Sequence, residues 1–116
     1  MKNLNKSGRD MDGTFTVVAG DDLTVEVAFT KEGRHYCLGK DDKAELVIHM
    51  PDDEERIVSA CSVRKHGAQF YLSGEDTKEL LDANPCGIFH ICVRVTWAYG
   101  GRDTPIYRQL LLIVGC

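Results

Sequence analysis

Gly20-Asp21-Asp22-Leu23-Thr24-Val25-Glu26-Val27-Ala28-Phe29 is the stretch that decides the fold class. A Gly-Asp-Asp turn opens it, and Leu23, Val25, Val27 and Phe29 then alternate with Thr24, Glu26 and Ala28. Successive side chains of a strand point to opposite faces, so the apolar set lines one face and the polar residues lie on the other. The signature recurs at Ala44, Leu46, Ile48 and Met50, and again at Phe89, Ile91, Val93, Val95 and Trp97. Several half-buried strands in 116 residues require a sheet packed against something, most simply a second sheet.

Outward from that stretch the chain reads as strand and turn in succession. Thr14 to Val18 is expected to be the first strand and Leu23 to Thr30 the second, with Lys31-Glu32-Gly33-Arg34 as a hairpin-like turn. Lys43 to Met50 follows and stops at Pro51, which cannot donate to a ladder. After the charged turn Pro51 to Glu55, strand character resumes from Ile57 to Val63, and again at Ala68, Phe70 and Leu72. Ser73 reads as a helix N-cap with Asp76 three residues on, an imperfect capping box, and Thr77, Leu80 and Leu81 sit at helical spacing. Asn84-Pro85-Cys86-Gly87 ends that short helix. The strand Ile88 to Ala98, the turn Tyr99 to Asp103 and the strand Ile106 to Val114 complete the chain. The expected architecture is all-β: an immunoglobulin-like β-sandwich of about seven strands with one short helix, with a small barrel second. Residues 1–13 read as a flexible N-terminal arm and 14–116 as one domain.

Composition narrows the function classes. A net charge of −4 and a pI near 5.5 point away from nucleic acid, which is usually met with a basic patch. The longest apolar run, Leu110 to Val114, falls far short of the roughly 20 residues that span a bilayer. It suggests burial on both faces or contact with a partner. No apolar segment follows the charged N-terminus as a secretory signal would. The five cysteines, Cys37, Cys61, Cys86, Cys92 and Cys116, are odd in number and irregular in spacing, which suits free thiols in a reducing compartment. Cys61, beside Val63, is expected to be buried as a small hydrophobe.

Residues with chemical potential are few. His35-Tyr36-Cys37 and His90-Ile91-Cys92 each put a histidine and a cysteine on one face of a strand, and two such pairs on neighbouring strands would make a His₂Cys₂ zinc set. Structural zinc sites draw their pairs from turns with two or more intervening residues, so ordinary strand residues are the preferred reading, and no metal or cofactor is expected. No nucleophile elbow is present. The acidic runs Asp21-Asp22, Asp41-Asp42 and Asp52 to Glu55 are neighbours on turns rather than carboxylates facing across a cleft, so no catalytic residue is assigned and the chain is read as non-enzymatic. Arg56, Arg64, Lys65, Arg94, Arg102 and Arg108 are candidates to gather on one face. Trp97, Tyr99, Arg102 and Tyr107, around Gly100-Gly101, form the candidate partner contact, because arginine beside aromatics is the composition of interface hot spots. The competing reading of Trp97 is the sandwich's core tryptophan.

The order of these features resembles the immunoglobulin-like domains of tailed-phage structural proteins, such as the N-terminal domain of baseplate upper proteins and related small prophage proteins. The residues that carry the resemblance are Gly20-Asp21-Asp22-Leu23-Thr24-Val25, Ala44-Glu45-Leu46-Val47-Ile48, and Phe70-Tyr71-Leu72-Ser73 leading into Glu75-Asp76-Thr77-Lys78-Glu79-Leu80-Leu81. Gly87, Phe89-His90-Ile91-Cys92-Val93-Arg94-Val95 and Leu112-Ile113-Val114 extend it to nearly the whole chain. Where the family often has Pro-Gly-x-Tyr, this chain has Pro85-Cys86-Gly87-Ile88-Phe89. The resemblance implies a structural or adaptor role in tail or baseplate assembly. Its partners would be copies of itself, as a homo-oligomer, or tail components, in the virion or in the host cytoplasm. The alternative is a small ligand- or carbohydrate-binding module that uses Trp97, Tyr99 and Tyr107.

Overall fold

The computed structural model describes residues 2–3, 14–28, 30–31, 34–35, 38–64 and 67–115, with backbone alone at 2, 3, 30, 31, 34, 35 and 108. In chain order the elements are β1 (Lys2–Asn3), β2 (Thr14–Val18), β3 (Leu23–Ala28), β4 (Thr30–Lys31), β5 (Arg34–His35), β6 (Lys43–His49), β7 (Glu55–Ser59), β8 (Ser62–Arg64), β9 (Gly67–Leu72), α1 (Gly74–Ala83), β10 (Ile88–Thr96) and β11 (Arg102–Val114). One sheet runs β1-β3-β9-β8 and the other β2-β11-β10-β6-β7, with β4 and β5 as a separate two-stranded ribbon. The orders β3-β9-β8 and β11-β10-β6-β7 are those of an immunoglobulin sandwich: B, E and D on one side, G, F, C and C′ on the other. β2 runs parallel to β11, with Leu111 opposite Phe15. The loose arm expected over 1–13 falls mostly outside the described residues, and its two described residues lie parallel to β3.

The alternation read from the sequence is the core. Leu23, Val25 and Val27 of β3, and Ala68, Phe70 and Leu72 of β9, face Phe15, Ala44, Leu46, Ile48, Phe89, Ile91, Val93, Val95, Leu111 and Ile113 of the other sheet, all buried. In the apolar run at the end of β11, Leu111 and Ile113 are buried while Leu110, Leu112 and Val114 are partly covered. That strand is interior to its sheet, between β2 and β10. Phe29 lies outside the described residues. Val47 is fully buried although it sits between the inward pair Leu46 and Ile48. Its cross-strand neighbours are Cys92 of β10 and Ile57 of β7, and on the same sheet the Arg94 guanidinium reaches Glu55 Oε2 at 3.5 Å.

Two readings of the sequence are corrected. The single strand expected from Ile57 to Val63 is two strands in different sheets. Ala60 N–H donates to Ala44 O at 3.1 Å, and the next amide, Cys61 N–H, donates to Gln69 O at 2.9 Å, so the chain changes sheets between these residues. Cys61 and Val63 are exposed as a result, and Cys61 is not the buried hydrophobe expected. The last strand begins at Arg102 instead of Ile106, and it contains Pro105. The β10–β11 register slips between Ile91 and Val93 and again between Val93 and Val95. Proline is tolerated where a bulge takes its missing N–H off the ladder.

Helix α1 is pinned at its start to the turn before β3. The capping box is complete: Asp76 N–H donates to Ser73 Oγ at 3.2 Å and Ser73 N–H donates to Asp76 Oδ2 at 2.9 Å. Thr77 is the buried polar side chain of the described core. Its hydroxyl accepts from Gly20 N–H at 3.1 Å and shares its proton between Asp21 O at 2.9 Å and Gly74 O at 3.0 Å. Gly74 N–H donates to Asp22 Oδ1 at 2.7 Å. Gly-Asp-Asp and Ser-x-Glu-Asp-Thr, the two most distinctive pieces of sequence, are thus one hydrogen-bonded unit.

The Asp76 carboxyl lies below its ordinary range, chiefly because Ser73 N–H donates to it, with the Ser73 hydroxyl and Arg56 adding. Its folded value is depressed, so the unfolded chain binds the extra proton. The associated stability is present above the unfolded carboxylate value of about 3.9 and is lost as pH falls through the folded one. Urea unfolding of wild type and Asp76→Asn between about pH 2 and about pH 6 is expected to show a wild-type advantage at the upper end that disappears at the lower. An equal gap at every pH would remove Asp76 as the cause.

Candidate interaction surface

The hairpin between β10 and β11 closes at the pair Thr96 and Arg102. Gly100 N–H donates to Trp97 O at 2.9 Å and Trp97 N–H to Gly101 O at 2.8 Å. Tyr99 folds back so that its ring stacks on Trp97, with centroids 6.4 Å apart and planes 6° from parallel. Gly101 leaves room for that fold: a Cβ there would stand 2.6 Å from Tyr99 Cε1. Trp97 Nε1–H donates to Asp103 Oδ2 at 3.0 Å, which fixes the indole, and the indole packs against the edge of the core. Tyr99 is 83% exposed. The tip therefore presents an aromatic ring whose position is set by a stack, an indole hydrogen bond and two backbone bonds.

Asp42 ties this tip to the rest of the same end. Its Oδ1 accepts from Ala98 N–H at 2.8 Å, and its Oδ2 accepts from Gly39 N–H at 2.6 Å. The turn leading into β6 and the β10–β11 hairpin are thereby held together by one carboxylate. These are the connections that immunoglobulin variable domains cluster at one end of the sandwich.

The candidate contact residues divide. Trp97, Tyr99 and Arg102 meet at the tip. Tyr107 lies five residues further along β11, on the order of 15 Å away at the rise of a strand, and it is exposed on the outer side of the sheet. Trp97 packs against the core, as the competing reading of it expected, and its ring stacks with Tyr99. The arginines do not gather: Arg56 pairs with Asp76 and Glu79 of α1, Arg94 with Glu55, Arg64 lies on β8 in the other sheet, and Arg102 is at the tip. Lys65 and the Arg108 side chain lie outside what is described. Asp42 was missed as part of the tip, and Asp103 was placed in the turn but its bond to the indole was not foreseen. Asp42 had a local signal, since Gly39 to Asp42 forms a turn and aspartate in a turn accepts nearby backbone N–H groups. Asp103 had none.

The outer face of the five-stranded sheet holds the remaining polar side chains of interest. His90 faces His49 across the β6–β10 pair, and Cys92 lies opposite Val47. Burial pushes the Cys92 thiol above its ordinary range, with Arg94 opposing and Glu55 adding to the rise. Cys61, Cys86 and Cys92 are free thiols. The zinc set considered from the sequence needs Cys37 and the His35 side chain, which are outside the described residues. Among the described residues no group of three or more His, Cys, Asp or Glu is placed to hold a metal ion, and no helix is long and apolar enough to cross a membrane. Two open grooves flank α1, one beside Pro85 and Leu112, the other beside Gly20 and Lys78, both away from the hairpin tip.

No protein-family model matches the sequence, and comparison with curated proteins gives no match. Solved structures do match. The N-terminal domain of ORF48 from phage TP901-1 superimposes with a TM-score of 0.54 at 8% identity, over 89% of this chain and 84% of that one. The likeness is one of fold. S. aureus TarS is similar at a TM-score of 0.54 and 11% identity over 84% of this chain, and its 217–571 fragment at 0.54 and 11% over 89%. The match spans only 16% of the first TarS chain and 27% of the second.

Proposed function

We propose that this chain is a non-enzymatic phage or prophage protein, associated with the tail or baseplate, that acts as a structural or adaptor piece through protein–protein contacts. The observation that carries the reading is the likeness to a domain of a phage protein: this chain matches 84% of the ORF48 N-terminal domain over 89% of its own length. The hairpin tip supports it. A tyrosine already held in place loses little side-chain entropy on binding, and tyrosine, tryptophan and arginine dominate interface energetics. The partner is a copy of this chain or another tail component.

Light scattering coupled to size exclusion, on reduced and chelator-treated protein over a concentration series, tests the self-assembling form. A defined oligomer is expected. Tyr99→Ala is expected to weaken it by about tenfold or more, the effect of losing one hot-spot side chain. A monomer at every concentration, whose Trp97 fluorescence is quenched by added oligosaccharide, would replace this reading with the ligand-binding one.

A further inference from the structure

The outer face of the five-stranded sheet carries an arrangement that assembly through the hairpin tip does not use. Cys92 Sγ lies 3.8 Å from His49 Nε2. On the other side of the same ring, Nδ1 lies 3.9 Å from Glu55 Oε2, the oxygen that also meets Arg94. That separation is longer than a hydrogen bond, and a small closure would let the carboxylate accept the Nδ1 proton, as the carboxylate beside a metal-binding histidine does. Nε2 is the ring nitrogen turned toward the sulfur. With Zn–S near 2.3 Å and Zn–N near 2.0–2.1 Å, the sulfur and nitrogen ligands of a tetrahedral zinc stand about 3.6 Å apart, close to the separation present.

We propose that His49 Nε2 and Cys92 Sγ form half of a zinc site that two copies of this chain complete, as His₂Cys₂, across a two-fold axis. One chain falls short by itself, since no described group of three ligands exists, and structural zinc takes four. A second copy of the same face supplies the same two ligands, as a two-fold interface requires. The face suits a sheet-on-sheet contact. Ile57 and Ile88 project from it about half exposed, at 48% and 50%, and a facing copy would cover them. As each Zn–S bond forms, the Cys92 proton passes to solvent, and all the waters of the aqueous zinc ion leave, with no change of oxidation state.

The test uses the full chain without a histidine tag, reduced and stripped with chelator, then titrated with Zn²⁺ alone while the mass is followed by light scattering. At a chain concentration below the one at which association through the hairpin tip sets in, the mass is expected to double from 12.9 kDa at half an equivalent of zinc per chain. Co²⁺ in its place gives the charge-transfer absorption of a cobalt–thiolate bond. Cys92→Ser and His49→Ala each abolish the doubling, and Glu55→Gln weakens zinc binding by about tenfold or more, as removal of an orienting carboxylate does. Thermal unfolding in chelator verifies that the variants fold. Zinc taken up without a change of mass, no response to zinc, or a doubling that survives Cys92→Ser overturns the proposal. A dimer present in chelator and indifferent to zinc also overturns it, while leaving the assembly reading standing.

Discussion

Gly87→Ala is expected to destabilise the domain by about 3 kcal/mol or more, a large part of the roughly 5–15 kcal/mol that holds a domain of this size together. Gly87 has φ +74, in the left-handed region where an alanine costs about 1–2 kcal/mol. A Cβ at this position would also collide with the carbonyl oxygen of Ile113. Relieving that clash moves the backbone that carries two bonds, Gly87 N–H to Asn84 O and Ile113 N–H to Gly87 O, both 2.8 Å. Strained overpacking of this kind adds about 1–3 kcal/mol. Gly87 joins the end of α1 to β10 beside β11, so the loss falls where helix and sheet meet. Urea unfolding should show a lower midpoint with an unchanged slope. A cost below about 1 kcal/mol, the left-handed penalty alone, would mean that the close approach to Ile113 is not a constraint.

Phe70→Ala is expected to cost about 3–5 kcal/mol, the range for truncating a fully buried phenylalanine. Its side chain has 0% exposure, and it lies opposite Val25 in the β3–β9 pair, with the inner face of the other sheet above it. The adjacent Tyr71 is the control. It points the other way, is 45% exposed and has its phenol held protonated by a hydrogen bond to Asp22. Tyr71→Ala should cost well under half as much, and Phe70→Leu, which keeps most of the volume, less than about 1.5 kcal/mol. Equal effects at 70 and 71 would contradict the assignment of inner and outer faces.

That assignment was legible in the sequence because it depends on backbone geometry alone. Leu23, Val25 and Val27, or Phe89, Ile91, Val93 and Val95, had to share a face in any extended conformation. The helix start was equally legible, since Ser73 and Asp76 satisfy each other within one turn. The failures share another cause. Ile57 to Val63 looked like one strand because no glycine or proline interrupts it, and nothing local records that Ala60 and Cys61 bond to opposite sheets. The last strand was expected only from Ile106, and its extension back through Pro105 to Arg102 depends on a bulge set by the register with β10. Tyr107 was grouped with Trp97 by closeness in sequence, and an extended strand carried it away.

Which residues alternate inward along a strand, where the helix begins and where the turns fall are local properties, since periodicity of two, side-chain capping and turn preferences act over a few residues. Which strands are neighbours is settled when the two sheets assemble, and with that every cross-strand meeting: Asp42 with Ala98, Arg94 with Glu55, Thr77 with Gly20, and His49 beside Cys92. Such pairings form between residues tens of positions apart. Their loop-closure cost is offset only when the whole core is buried together, so no short segment contains them.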